Sequence, residues 1–201
     1  GVHNSVPEIA ALFVQRNGTH FGLEGVDPWD ESRDAMKYAG PHPVVAHPPC
    51  SRWCRLAGLV EARWGHKRGD DGGTFAHALA CVRRFGGVLE HPAYSDAWAA
   101  HDLNAPPTGG GWVNADMQGG WTCYVEQGRY GHRARKGTWL YAHGTELAPL
   151  RWGPAVALAW VSQNKNHNGA KQMPRLDKRE ASKTPPEFRD ELIAMARSAK
   201  R

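Results

Sequence analysis

Two short apolar runs in this chain stop abruptly at prolines and reactive side chains, and that pattern narrows the folds open to it. Val44-Val45-Ala46 runs into His47-Pro48-Pro49-Cys50, and Val88-Leu89 runs into Glu90-His91-Pro92. Proline cannot donate to a strand ladder, so each run reads as the carboxyl end of a buried strand with a stiffened exit. A third run, Ala10-Ala11-Leu12-Phe13-Val14, ends in polar Gln15-Arg16-Asn17-Gly18 and reads as a strand followed by a turn.

Helical signals lie between these runs. Phe75, Leu79, Val82 and Phe85 recur at helical spacing, with Arg83 and Arg84 in the last turn and Gly86-Gly87 as the stop. Asp30 to Tyr38 predicts a short helix with acidic residues in its first turn, and Ser95 to Ala100 another. Val26 to Asp30 carries no clear pattern. Asn104 to Gly111 is a Pro/Gly-rich loop, and Tyr124-Val125 and Thr138 to Ala142 predict further strands. Ser162 to Lys183 is polar and basic and reads as a loop. Thr184 then caps a C-terminal helix to about Ser198, with Pro185 and Pro186 in its first turn. Strands alternating with helices predict an α/β fold, with a Rossmann-like, mostly parallel sheet flanked by helices in a single domain. The expected organisation is an N-terminal extension (1–9), an α/β catalytic domain (10–161), a basic loop (162–183) and a C-terminal helix of the same domain (184–201).

Composition narrows the partners. The 201 residues are 41% hydrophobic and 22% charged, neither disordered nor membranous, and no stretch has the length of a membrane span. Gly1 to Pro7 carry no basic region followed by an apolar run, so no secretory leader is expected. Net charge is +5, with 17 Arg against 8 Lys. Guanidinium forks match phosphate oxygens, so a phosphate-bearing partner is one reading and a solubilising surface the other. Exposed members of the nine Trp could stack on bases. Cys50, Cys54, Cys81 and Cys123 form no C-x-x-C pair, and reduced thiols in a cytoplasmic setting are expected. His47, Cys50 and Cys54 lack an evident fourth ligand, so no metal is expected.

The chemistry-bearing residues cluster where strands end. Arg52 and Arg55 flank Cys50, and neighbouring positive charge favours a nucleophilic thiolate. The competing reading of Cys50 is a small buried core residue. Glu90 ends a strand that is otherwise all core, so its carboxyl must be paired or functional. An ion pair with an Arg of the basic segment satisfies the same requirement. That segment runs from Gln127 through Arg129, Tyr130, His132, Arg133, Arg135 and Lys136 into Gly137-Thr138-Trp139-Leu140-Tyr141. Arg133 and Arg135, two apart, would share one face of an extended chain.

Pro48-Pro49-Cys50, Glu90 at a strand end, and Tyr130-Gly131 with Arg133 and Arg135 before a strand occur in the order found in DNA cytosine-C5 methyltransferases, which this chain resembles over roughly Ala10 to Gly144. It is also similar to phage and prophage proteins with the pattern GGWT…YGHRA-K-TWLY. The methyltransferase resemblance implies that Cys50 attacks C6 of a flipped-out cytosine or uracil in DNA and activates C5 for transfer of a methyl or other one-carbon unit. It implies that Glu90 holds the N3/N4 edge and assists protonation, and that Arg133 and Arg135 contact O2 and a neighbouring phosphate. Further DNA contacts would come from Arg52, Arg55, Arg129, His132 and Lys136. The implied cofactor is S-adenosylmethionine, with Phe13, Asp27, Asp30 and Pro48 as its contacts and Asp27 or Asp30 gripping the ribose. The family's Phe-x-Gly-x-Gly loop is replaced here by Phe13-Val14-Gln15-Arg16-Asn17-Gly18, and glycines are what let backbone approach a cofactor closely. Glu90 is followed by His91-Pro92 rather than Asn-Val. Only Thr145 to Arg175 remains for target recognition, which predicts weak sequence specificity, or a single-stranded or partner-presented substrate. A phage-encoded protein would act in the cytoplasm of a bacterial host. Two other classes stand beside this one. A non-catalytic DNA-binding protein on the same fold would explain the lost glycines. A zinc deaminase needs His-x-Glu and Pro-Cys-x-x-Cys, whereas this chain has Pro-Cys-x-x-x-Cys and no upstream His-x-Glu.

Overall fold

A computed structural model describes residues 6–54, 67–159 and 173–200. Seven strands form one sheet: β1 (Ile9–Leu12), β2 (Val26–Trp29), β3 (Val44–Ala46), β4 (Gly87–Pro92), β5 (Val113–Asn114), β6 (Trp121–Glu126) and β7 (Gly137–His143). Their order is β2-β1-β3-β4-β7-β6-β5. The β2-β1-β3-β4 half is parallel, and every pairing from β4 through β7 and β6 to β5 is antiparallel. The fold is therefore α/β, but the sheet is mixed rather than mostly parallel. A parallel pair needs a long crossover between its strands, and an antiparallel pair does not. The stretch from β5 to β7 contains no α-helix, so its strands pair antiparallel.

Among the described residues four α-helices accompany the sheet: α1 (Thr74–Phe85), α2 (Ala97–Ala100), α3 (Lys178–Ser182) and α4 (Pro186–Arg197). The helix expected over 30–38 is only a 3-10 turn, Ala35–Lys37, capped by Asp34, whose side chain accepts from Met36 N–H. The edge strand β2 was not legible as a strand, and it tolerates Pro28 because one side of an edge strand has no partner. Within the stretch read as a basic loop, Lys178–Ser182 is helical, and residues 160–172 lie outside the described residues.

Strand periodicity sorts the core onto two faces. Val44, Ala46 and Leu89 join Phe75, Leu79 and Val82 of α1, with Trp98, Trp139 and Tyr141, on one face. Val45, Val88, Leu140 and Ala142 join Phe188, Leu192 and Ile193 of α4 on the other. Alternate residues pointing to opposite faces is the period of two that a strand covered on both sides requires. Two local features fix α1. Asp71 holds its start, its carboxylate accepting from Gly73 N–H, Phe75 N–H, the Thr74 hydroxyl and Trp53 Nε1. After its end, Gly87 has φ +135°, and a Cβ there would lie 1.9 Å from the Val44 carbonyl oxygen, so only glycine lets β4 pair with β3. Among the described residues no helix is long and apolar enough to cross a membrane.

Candidate active site

Parallel register brings three strand ends to one level. Leu12 pairs with Ala46, and Ala46 with Leu89, so Phe13, His47 and Glu90 follow at the same edge. From β1 the chain passes to β2 on one side of it, while β3 and β4 lie on the other. That reversal opens a crevice at the carboxyl ends of the strands, the usual place for a ligand in an open α/β sheet. A cleft of about 690 Å³ occupies it, within the range of small-molecule sites. Phe13, His47, Pro48, Cys50, Glu90 and Lys136 are among its lining residues. Lys136 arrives from the opposite direction, because β7 runs antiparallel to β4 and starts where β4 ends.

At the centre is a chain of three side chains. His47 Nδ1 lies 2.8 Å from Glu90 Oε2, and His47 Nε2 lies 3.1 Å from His20 Nε2. His20 comes from the loop after β1 and is 4% exposed. Its ring stands edge-on to that of His47, with centroids 4.8 Å apart. Burial, then the neighbouring His47 and Arg189, drive its pKa down to about 2, so His20 is neutral. Burial pushes the Glu90 carboxyl up. The His47 hydrogen bond and the charges of His47, Lys136 and His91 outweigh that and hold it at about 2. An ionised carboxylate only accepts, so His47 Nδ1–H donates to it, and the two Nε2 atoms of His47 and His20 share one proton. Gln127, fully buried, donates from Nε2 to Glu90 Oε1 at 3.4 Å and to the Thr138 hydroxyl at 3.0 Å.

Cys50 sits beyond the two prolines, on a loop anchored from below. His91 lies under that loop, with Nδ1 2.7 Å from the Ser95 hydroxyl and Nε2 donating to the Pro49 carbonyl at 3.3 Å. The Trp53 amide donates to the Cys50 carbonyl, and the Trp53 indole is tied to Asp71. Burial, then the Glu90 carboxylate and Cys54, push the Cys50 thiol up. This direction is opposite to that expected if flanking Arg residues held it as a thiolate. Arg52 lines no part of the cleft, and Arg55 lies outside the described residues. Among the described residues the cation that acts on the thiol is Lys136. Burial lowers the Lys136 pKa while Glu90 and Cys50 oppose that.

The basic segment faces differently from its sequence reading. Arg133 and Arg135 do share a face, but it is the solvent face, between buried His132 and Ala134. Arg133 pairs with Glu180 at 3.0 Å. Arg135 forks onto Glu126, with Nε and Nη2 each 2.8 Å from a carboxylate oxygen. Neither lines the cleft. His132 accepts from Ala134 N–H within its own turn through Nδ1 and donates through Nε2 to the Ala181 carbonyl of α3, so both nitrogens are engaged in the scaffold. Arg129 is exposed away from the cleft. Of the residues read as cofactor contacts, Phe13 and Pro48 line the cleft, whereas Asp27 and Asp30 do not. Asp27 accepts from Arg33 and from the Trp29 indole, and Asp30 caps a turn through Ser32.

Nothing in the sequence points to His20, Gln127 stands out only as the start of the basic segment, and His47 only as part of the strand exit and as one of three residues too few for a metal site. The position of His47 at a strand exit was a usable signal. His20 gave none, since it stands in a loop 27 residues from its partner. Among the described residues no three His, Cys, Asp or Glu side chains stand close enough together to hold a metal ion.

No protein-family model, curated protein or solved structure matches this chain. The functional reading therefore rests on the cleft itself.

Proposed function

We propose that the protein modifies C5 of cytosine or uracil in DNA by covalent addition of Cys50 to C6 of a flipped-out base, on a Rossmann-like parallel half-sheet. The observation that carries this reading is that a thiol, an ionised carboxylate and a half-buried lysine line one cleft at the strand ends. The target atoms are stacked inside a duplex, so the base must leave the stack to reach Cys50. As the S–C6 bond forms, the C5=C6 electron pair moves into C4–C5, and the C4=N3 pair of cytosine moves to N3 or the C4=O4 pair of uracil to O4. The thiol proton passes through Glu90 to that N3 or O4, so no proton is gained or lost overall. Lys136 offsets the negative charge on sulfur during transfer. C5 is then electron-rich and attacks a one-carbon electrophile, methyl or another, whose donor leaves with the bonding electrons. Loss of the C5 proton with expulsion of the Cys50 sulfur then restores C5=C6.

The turn after β1 does not fit S-adenosylmethionine. Phe13, Val14 and Gln15 occupy it without a glycine cradle, and both candidate ribose carboxylates are engaged elsewhere. The raised Cys50 thiol favours a second reading, in which the cleft binds a DNA base without chemistry.

One assay separates the two without knowledge of the donor. Addition at C6 labilises the C5 hydrogen, so DNA carrying tritium at C5 of cytosine or uracil should release it to water with the wild-type protein and not with Cys50→Ser. Failure of the wild type to release tritium from either base would refute the covalent reading.

A further inference from the structure

A second, polar groove of about 400 Å³ adjoins the cleft, and the two share Gln15 and Thr19 as a common wall. Its charged lining is Arg16, Arg179 and Lys183 with Asp177 and Glu180. The two carboxylates are already committed. Asp177 accepts from Glu180 N–H at the start of α3, and Glu180 pairs with Arg133. Among the described residues the three cations make no side-chain hydrogen bond or ion pair, although the charge of Arg16 reaches Asp30. Across both cavities, among the described residues, six Lys and Arg side chains face three carboxylates, and all three carboxylates are engaged. A groove with a surplus of cations over carboxylates along its wall is complementary to phosphate.

We infer that this groove seats the phosphodiester backbone beside the flipped nucleotide, so that the substrate is a polynucleotide strand rather than a free nucleotide. The inference deepens the proposed function and rests on its reading of the cleft as the base site. Directionality follows from the shared wall: a base entering between Phe13 and Glu90 leaves its flanking phosphates nearest Thr19, where the groove begins. The triphosphate of a free nucleotide offers the same chemistry, so the experiment must tell the two sources apart.

The test is equilibrium binding of a short single-stranded oligodeoxycytidine and of dCTP across a salt series, with Arg16→Gln/Arg179→Gln/Lys183→Gln. Each phosphate neutralised on a single strand contributes about 0.7 to the log–log salt slope. The triple variant should therefore lose about 2 from the oligonucleotide slope and leave dCTP binding unchanged. A control variant, Lys37→Gln/Arg84→Gln/Lys200→Gln, removes three cations that line neither cavity and should keep the full slope. An unchanged slope in the groove variant, an equal loss in the control, or weakened dCTP binding with the oligonucleotide unaffected would each overturn the inference. Binding needs no covalent step, so absence of tritium release with an intact salt response would sink the proposed chemistry and leave the groove standing.

Discussion

Replacing Arg135 with Gln should cost stability and spare chemistry, the reverse of what its place in the basic segment suggests. Glu126 is 1% exposed and accepts four hydrogen bonds, two from Arg135, one from the Tyr124 hydroxyl at 2.6 Å and one from Ala155 N–H at 2.8 Å. Truncating the guanidinium leaves two donors and a buried carboxylate without its counter-charge. Breaking a fully buried pair costs about 3–5 kcal/mol. The Arg135 side chain is 52% exposed, so water re-enters and the surviving donors hold part of the charge. About 2 kcal/mol is expected, or a fall of about 4–8 °C in Tm for a chain of this size. Burial pushes the Glu126 carboxyl up, but Arg135, Tyr124 and Ala155 hold it at about 2. Its contribution is therefore complete above its ordinary pKa of 4.5 and is lost as pH falls toward 2, and Arg135→Gln should blunt that acid dependence. Urea unfolding at neutral and acid pH reads the stability, and tritium release per folded molecule, expected within about threefold of wild type, reads the chemistry. Full stability combined with a drop of about a hundredfold in release would restore Arg135 to the active site and refute this account.

Glu90→Gln keeps an acceptor for His47 but removes the proton relay, so tritium release should fall by about 100-fold or more while Tm moves little, and an undiminished rate would remove Glu90 from the chemistry. His20, held neutral with its pKa lowered to about 2, contributes stability that is complete above its ordinary 6.5 and is lost as pH falls below that value, with a slope of at most about 1.4 kcal/mol per pH unit. His20→Gln should flatten that slope in acid unfolding titrations, and an unchanged slope would mean that another group sets it.

Three of the four parallel strands, β1, β3 and β4, were legible because they are continuous apolar runs with hard stops, whereas the edge strand β2 is not such a run; α1 was legible because Phe75, Leu79 and Val82 recur at one helical face. The antiparallel half was also written in the chain, in the absence of helical periodicity between Ala100 and Lys178, but strand direction is a property of pairing and no single segment carries it. Cys50 and Glu90 could be placed by sequence because they follow strand ends directly. Lys136 could be flagged only as one cation in a run of four. Its selection for the cleft depends on the turn before β7, where Lys136 has φ +48° while Arg133 and Arg135 face solvent. His20 was illegible, because its contact with His47 is made by tertiary packing across a loop.

The protonation states assigned to the cleft bear on when Cys50 can react. A thiol raised by burial beside a carboxylate is a poor nucleophile at rest, and a carboxyl held at about 2 is a poor resting base for it. The same low value makes Glu90, once protonated, a ready donor, so a proton crosses it without residing there. A proton acceptor must then be present before the thiol can lose its own, and on the proposed mechanism that acceptor is N3 of a bound cytosine or O4 of a bound uracil. Sulfur attack and that protonation become one coupled event, gated by occupancy of the cleft rather than by a standing thiolate. This gating removes the need for the guanidinium groups around Cys50 that the sequence suggested, and is consistent with Arg133 and Arg135 serving the scaffold while Lys136 alone of the basic segment lines the site.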